Sequence, residues 1–328
     1  LPASVSWIES ELSLDPEKNV SSAAVPMESM TVSRIFRVLP PIRFGILVTF
    51  FPIFCLPLLL CCQKKNDTGA DPTASYRIRK TIRYNDVTVD VVIDKPTGTE
   101  LDALVVYHGT VWYNSQIIDA ANNALDGFKN ILDRKDMIVV SVAYPEENLL
   151  MGDNMPFAEA GLLWVKNSMK AELGVTPRKI FLAGHSQGGY VVTRLNTVHS
   201  TNGVIANAPG PLNLVYRCQL EENGSIPGGF QCGQLQGTYG KTTVNAQAYW
   251  DRSLLSFTSG YRSDILFVQG LEDSPIQMYS WPMFRQQVQD CRDCKGRIFL
   301  ELPGMGHNSL FNSDTGKKAF NDFLNERR

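Results

Sequence analysis

Apolar and polar positions follow different rules in different parts of this chain. Between Phe44 and Leu60 no charged residue occurs, in the run Phe-Gly-Ile-Leu-Val-Thr-Phe-Phe-Pro-Ile-Phe-Cys-Leu-Pro-Leu-Leu-Leu. From residue 76 onward the pattern is that of a folded domain. Tyr76–Asn85 and Val87–Asp94 alternate apolar with polar residues, as an antiparallel pair at a sheet edge does. The runs Ala103–Gly109, Met137–Tyr144, Lys179–Ala183, Gly203–Ala208, Asp264–Gly270 and Arg297–Glu301 are mostly continuous apolar stretches, the signature of parallel strands buried on both faces. Helical periodicity lies between them, over Ala120–Arg134, Met155–Leu173, Gly188–His199, Tyr279–Gln289 and Thr315–Glu326. Repeated strand-helix alternation predicts an α/β fold with a mostly parallel central sheet of about eight strands and helices on both faces.

One connection departs from this plan. Residues 210–262, between the sixth and seventh strands, are rich in Gly, Gln, Asn and aromatic residues, including Tyr216, Phe230, Tyr239, Tyr249 and Trp250. A structureless loop of that length does not suit a compact domain. The segment is either a cap over a site or a surface excursion.

Candidate chemistry concentrates where strands end. Gly184-His185-Ser186-Gln187-Gly188-Gly189 follows the strand Lys179–Ala183 and precedes Tyr190-Val-Val-Thr-Arg194, so a G-x-S-x-G motif sits on a strand-to-helix turn. The turn needs small residues on both sides of the serine, which explains Gly184 and Gly188. It lifts Ser186 to a helix N-terminus, where backbone N–H groups face an incoming anion. A serine hydroxyl is a weak nucleophile at neutral pH and requires a base, itself oriented by a third group.

The chain has four histidines. His185 lies within the turn and His199 at the far end of the following helix. His108 ends an earlier strand in Val-Val-Tyr-His-Gly-Thr110. His307 remains as the base, in Leu302-Pro-Gly-Met-Gly-His307-Asn308, a glycine-rich loop after the last strand. The orienting acid is expected after Asp264–Gly270, in Leu271-Glu272-Asp273-Ser274-Pro275. Asp273 is the expected acid, and Glu272 beside it the alternative.

The order Ser186, Asp273, His307 is that of the α/β-hydrolases, unlike the chymotrypsin-like and subtilisin-like orders. From about residue 76 to the end the chain resembles that superfamily. Gly-His-Ser-Gln-Gly-Gly-Tyr and the late Gly-Met-Gly-His resemble small esterases related to dienelactone hydrolases and to the catalytic domain of prolyl oligopeptidases. Dienelactone hydrolases carry cysteine where Ser186 stands, and oligopeptidases carry a large propeller ahead of the hydrolase domain, where fewer than a hundred residues precede the sheet here. Both departures favour a serine carboxylesterase acting on small to medium esters through an acyl-enzyme. The alternatives are an oligopeptidase-like serine peptidase and a non-catalytic surface lipoprotein. The resemblance implies that backbone N–H groups of Gln187 and Thr110 form the oxyanion hole, that His108 braces its loop, and that 210–262 carries the cap. His108, Trp112 and Tyr144 are candidate pocket residues. No cofactor and no metal site are expected.

Composition narrows the classes further. With 328 residues, 44% hydrophobic and 20% charged, the chain is ordinary for a globular protein, and a net charge of −2 gives no footprint for nucleic acid. The expected organisation is an irregular, basic N-terminal extension (1–43), an apolar signal or anchor (44–62), a polar tether (63–75) and the catalytic domain (76–328). Arg34, Arg37 and Arg43 precede the apolar run and Cys61-Cys62-Gln63-Lys64-Lys65 follows it, a pattern resembling a bacterial lipoprotein signal. Cys61 or Cys62 would then bear lipid, and the protein would be exported to the periplasm or cell surface, with Met27 and Met30 as candidate translation starts. Of the seven cysteines, Cys218, Cys232, Cys291 and Cys294 lie in the domain. An even number in an exported domain predicts two disulfides with three possible connectivities. Local pairing, Cys218–Cys232 and Cys291–Cys294, is the expected one.

Overall fold

Strands form where the apolar runs predict them. The computed structural model describes residues 73–327. The N-terminal extension, the apolar segment with Cys61 and Cys62, and most of the tether lie outside the described residues. β1 (Tyr76–Tyr84) and β2 (Val87–Lys95) pair antiparallel, with Tyr84 opposite Val87 across a tight turn. Asn85 opens that turn at φ 51°, a left-handed conformation that asparagine tolerates better than most residues. β3 (Glu100–Tyr107), β4 (Met137–Ala143), β5 (Thr176–His185), β6 (Gly203–Asn207), β7 (Ile265–Gly270) and β8 (Arg297–Leu302) complete the sheet.

The strand order is β1-β2-β4-β3-β5-β6-β7-β8. β2 meets β4 antiparallel, and every pair from β4 to β8 is parallel. Parallel strands need crossovers, so their carboxyl ends all emerge on one side. That shared edge gathers loops from distant parts of the chain.

Helices cover both faces. α1 (Ile117–Ile131) and α10 (Asp314–Glu326), the latter preceded by the short α9 (Ser309–Asn312), press Leu125, Phe128, Phe320 and Phe323 onto one face. On the other lie α2 (Met155–Asn167), α4 (Gln187–Val198) and α8 (Pro275–Gln289), with Trp164, Tyr190, Trp281 and Phe284 in the core. The helix predicted over Met155–Leu173 is interrupted. Ser168 caps α2 and begins a short α3 (Met169–Leu173), which Gly174 closes at φ 68°. α8 starts four residues earlier than its periodicity predicts, because Ser274 accepts a hydrogen bond from the Gln277 N–H and Pro275 occupies the first turn, where its missing N–H costs nothing.

The connection between β6 and β7 is helical. α5 (Leu214–Glu222), α6 (Phe230–Tyr239) and α7 (Thr242–Trp250) pack together, and the buried Cys218–Cys232 disulfide joins α5 to α6. The second disulfide is Cys291–Cys294. Of the three connectivities, the local pairing is the one formed. Arg252 fastens the segment to the body of the domain by donating to the Met151 carbonyl and to Asp153, each at 2.7 Å.

Candidate active site

Ser186 occupies the turn between β5 and α4 at φ 57° and ψ −120°. A non-glycine residue held there is strained by about 1–3 kcal/mol. The surroundings hold it. Its N–H donates to the Asn207 carbonyl of β6, and its carbonyl accepts from the N–H of Tyr190 and of Gly210. A Cβ at Gly184 would lie 2.0 Å from the Gly188 carbonyl oxygen, and one at Gly188 would lie 2.1 Å from that of Tyr107. Both glycines are therefore required by close backbone approach.

Ser186 also meets the loop after β3. A Cβ on Gly109 would sit 3.5 Å from the Ser186 Cβ. The Thr110 hydroxyl donates to the Gln187 side-chain oxygen at 2.7 Å, tying together the two residues expected to supply oxyanion donors. Gln187 opens α4, so its N–H has no acceptor within the helix. The Thr110 N–H finds no acceptor among the described residues.

His307 and Asp273 come together at the same edge. His307 Nδ1 donates to Asp273 Oδ2 at 2.9 Å. That oxygen also accepts from Gln269 Nε2 at 3.0 Å, and Asp273 Oδ1 accepts from the Ser274 N–H at 2.6 Å. Burial raises the Asp273 pKa, but the His307 contact, helped by Gln269 and Ser274, outweighs it and holds the carboxyl below its ordinary value. The two loops are matched in shape. A Cβ at Gly270 would lie 2.2 Å from the carbonyl oxygens of Met305 and Gly306, and the Glu272 N–H donates to Met305. Glu272, the alternative acid, is exposed, whereas Asp273 is buried. His307 keeps its ring partly open to solvent.

Asn207, at the end of β6, joins the Ser186 turn to the His307 loop. Its side-chain oxygen accepts from the Leu310 N–H and the Ser309 hydroxyl. Because the Leu310 N–H can only donate, the amide orientation is fixed, and Asn207 Nδ2 donates to His185 Nδ1 at 2.8 Å. His185 is thus a neutral ring protonated on Nε2. Burial and the nearby His307 push its pKa down to about 3. Its ring packs 4.8 Å from that of His307, which brings the base beside the residue preceding Ser186. Sequence reasoning missed Asn207 and Gln269. The available signal was a polar amide at the carboxyl end of an otherwise apolar buried strand.

Two of the three pocket candidates lie elsewhere. His108 and Tyr144 are buried and stack face to face, with ring centroids 4.0 Å apart. His108 Nδ1 lies 2.7 Å from the Gly109 carbonyl oxygen and Nε2 3.2 Å from that of Tyr144, while the Tyr144 hydroxyl donates to the His108 carbonyl. These contacts brace the β3 loop from behind and present no surface to a substrate. Trp112 is exposed and tilts against Phe230 of α6, with ring centroids 6.3 Å apart. Cys291, Asp293 and Cys294 are close enough to share an ion, but the two sulfurs are bonded to each other and are spent as thiolate ligands.

Neither a protein-family model nor a curated protein matches the sequence. Solved structures match its fold. A truncated carbohydrate esterase from gut microbiota is 16% identical with TM-score 0.57, over 79% of this chain and 98% of that one. Est1E from Butyrivibrio proteoclasticus is 16% identical with TM-score 0.52, over 76% and 98%. An acylaminoacyl peptidase from Pyrococcus horikoshii is 13% identical with TM-score 0.56, over 77% of this chain and only 42% of the peptidase. What is shared at such identities is the path of the chain, and with the strand order, the serine turn and the helical segment after β6 it shows that this protein has the α/β-hydrolase fold.

Proposed function

We propose that the protein is a serine carboxylesterase that hydrolyses small to medium esters. The observation that carries this reading is the hydrogen bond from His307 to Asp273 at the sheet edge that also bears the strained Ser186 turn and the linked pair Thr110 and Gln187. Ser186 Oγ attacks the ester carbonyl carbon and its proton passes to His307 Nε2, the nitrogen not engaged by Asp273. Asp273 holds the ring in that tautomer and stabilises the imidazolium. The negative charge on the carbonyl oxygen falls to the N–H groups of Thr110 and Gln187, a donor pair of the kind worth about 3 kcal/mol per member. His307 then protonates the departing alcohol, and water attacks the acyl-Ser186 ester by the same route in reverse.

Esterase and peptidase names among the fold neighbours are compatible with this class and do not choose within it. The two disulfides support export to an oxidising compartment, and with the predicted N-terminal segment they are the basis for proposing a membrane-anchored periplasmic or surface protein.

The test is hydrolysis of nitrophenyl acetate, butyrate and decanoate by the wild type, Ser186→Ala and His307→Ala. The proposal expects turnover with an optimum chain length, lost in both variants. Faster cleavage of aminoacyl anilides than of any nitrophenyl ester would instead assign a peptidase.

A further inference from the structure

Four consecutive N–H groups in the loop after β3 end on side chains. Val111 donates to Glu146 Oε2 at 3.0 Å, Trp112 and Tyr113 donate to Gln116 Oε1 at 3.1 and 3.2 Å, and Asn114 donates to Glu147 Oε2 at 2.9 Å. Asn114 Oδ1 returns the tie by accepting from the N–H groups of Glu146 and Glu147. The loop after β4 is thus laced to the loop after β3. The N–H just before this series, that of Thr110, has no acceptor among the described residues.

Thr110 is held on three sides. The Gly109 carbonyl shares a peptide with the Thr110 N–H and lies 2.7 Å from His108 Nδ1. That peptide is trans, so its N–H points opposite to its C=O and away from the buried His108 ring. The Thr110 hydroxyl is held by Gln187, and the peptide between Thr110 and Val111 by Glu146. Of the four side-chain ties, the one to Glu146 is buried and the other three are exposed. Water can stand in for a lost acceptor at the exposed N–H groups, whereas the buried Val111 N–H depends on Glu146. Glu146 is 5% exposed, and its other oxygen, Oε1, is buried without a hydrogen-bond partner among the described residues. An acid buried with so few partners costs stability that an apolar side chain would not. What the acid supplies in return is an acceptor for Val111.

We propose that Glu146 is a positioning residue of the oxyanion hole, fixing the peptide that follows Thr110 so that the Thr110 N–H stays aimed at the substrate oxygen. The inference rests on the esterase reading above. Glu146 acts through the backbone and touches no reacting atom. Its effect belongs to the transition state, because the charge that the Thr110 N–H meets develops only there.

The test compares full-length wild type, Glu146→Leu, Glu146→Gln and Glu147→Ala on nitrophenyl butyrate. Glu146→Leu is expected to lower kcat by about 10- to 100-fold, short of the full loss of a donor, with KM within about twofold. Glu146→Gln keeps an acceptor and should restore kcat to within about threefold, and Glu147→Ala, whose tie water replaces, should stay within about the same range. An undiminished kcat in Glu146→Leu, a loss that Glu146→Gln does not restore, or equal losses in Glu146→Leu and Glu147→Ala overturns the proposal. Amide hydrogen exchange resolved to single residues reads the same tie without turnover, and decides the matter if Glu146→Leu does not fold. In the wild type Val111 should exchange slowest among residues 110–114 and Thr110 rapidly; Glu146→Leu should speed Val111 and Glu146→Gln should not. If the wild type hydrolyses no ester and this pattern holds, the tie beside Thr110 stands and the esterase reading fails. A Thr110 N–H as protected as that of Val111 overturns the proposal whatever the kinetics.

Discussion

Asp273 and Glu272 are adjacent carboxylates with opposite fates, and the difference lies in what each meets. Asp273 is buried under three hydrogen-bonding neighbours that favour its ionised form, His307 foremost and then Gln269 and Ser274, while Glu272 points to solvent. An amide at 273 can no longer hold the His307 ring in the tautomer that leaves Nε2 free to accept a proton. Asp273→Asn is therefore expected to lower kcat by about 10⁴ with the fold intact, as loss of the equivalent acid does elsewhere. Glu272→Gln should stay within about twofold of the wild type, because an exposed charge making no contact with the base is screened by solvent. Steady-state kinetics on one ester, with circular dichroism to check folding, compares the two. If both substitutions cost the same, the acid is wrongly assigned.

The helical segment between β6 and β7 shows how an element depends on its covalent ties. Cys218 and Cys232 are 14 residues apart and join α5 to α6, and α6 brings Phe230 and Gln231 to the wall of a small cavity beside Thr110 and Gln187. Closing a loop of this length restricts the unfolded chain by about 3 kcal/mol. Replacing both cysteines by alanine should lower the unfolding free energy by about that amount in urea titrations. The sheet and most helices were legible in the chain because burial on both faces leaves continuous apolar runs and amphipathic helices leave a period. The helices between β6 and β7 were not, since α6 and α7 bury few residues and carry polar Gln, Thr and Asn at nearly half of their positions with no apolar period between them. The serine turn, Asp273 and His307 were legible from spacing around strands. Glu146, Asn207 and Gln269 were not, because nothing in a linear pattern tells a buried amide or acid from an exposed one. His108 and Tyr144 misled for the same reason: a strand end reads alike whether its side chain faces the cleft or the packing behind it.

For the whole molecule, three buried titratable groups set the response to pH. His185 and His108 are held neutral by burial, with pKa values pushed down to about 3 and about 4, against about 6.5 in an unfolded chain. From pH 6.5 downward the unfolded state binds protons that the folded state refuses, so stability falls as pH falls. Glu146 behaves oppositely. Burial raises it to about 8, so between its unfolded value near 4.5 and pH 8 the folded state keeps a proton that the unfolded state has lost, and stability falls as pH rises. From about 4.5 to 6.5 the two histidines outweigh the one acid, and above 6.5 the acid acts alone. Melting temperature is thus expected to peak near pH 6.5, and Glu146→Gln should remove the alkaline decline and steepen the acid limb between about 4.5 and 6.5, where the acid no longer offsets one histidine. A peak above pH 8 in the wild type would contradict this balance. The account as a whole stands on Ser186 being activated by the His307–Asp273 pair, and that is read most directly by intact-protein and peptide mass spectrometry after exposure to a fluorophosphonate. One adduct, located on Ser186, absent from Ser186→Ala and formed far more slowly in His307→Ala, is the predicted result; no adduct, or labelling at another residue with Ser186 unmodified, would contradict it.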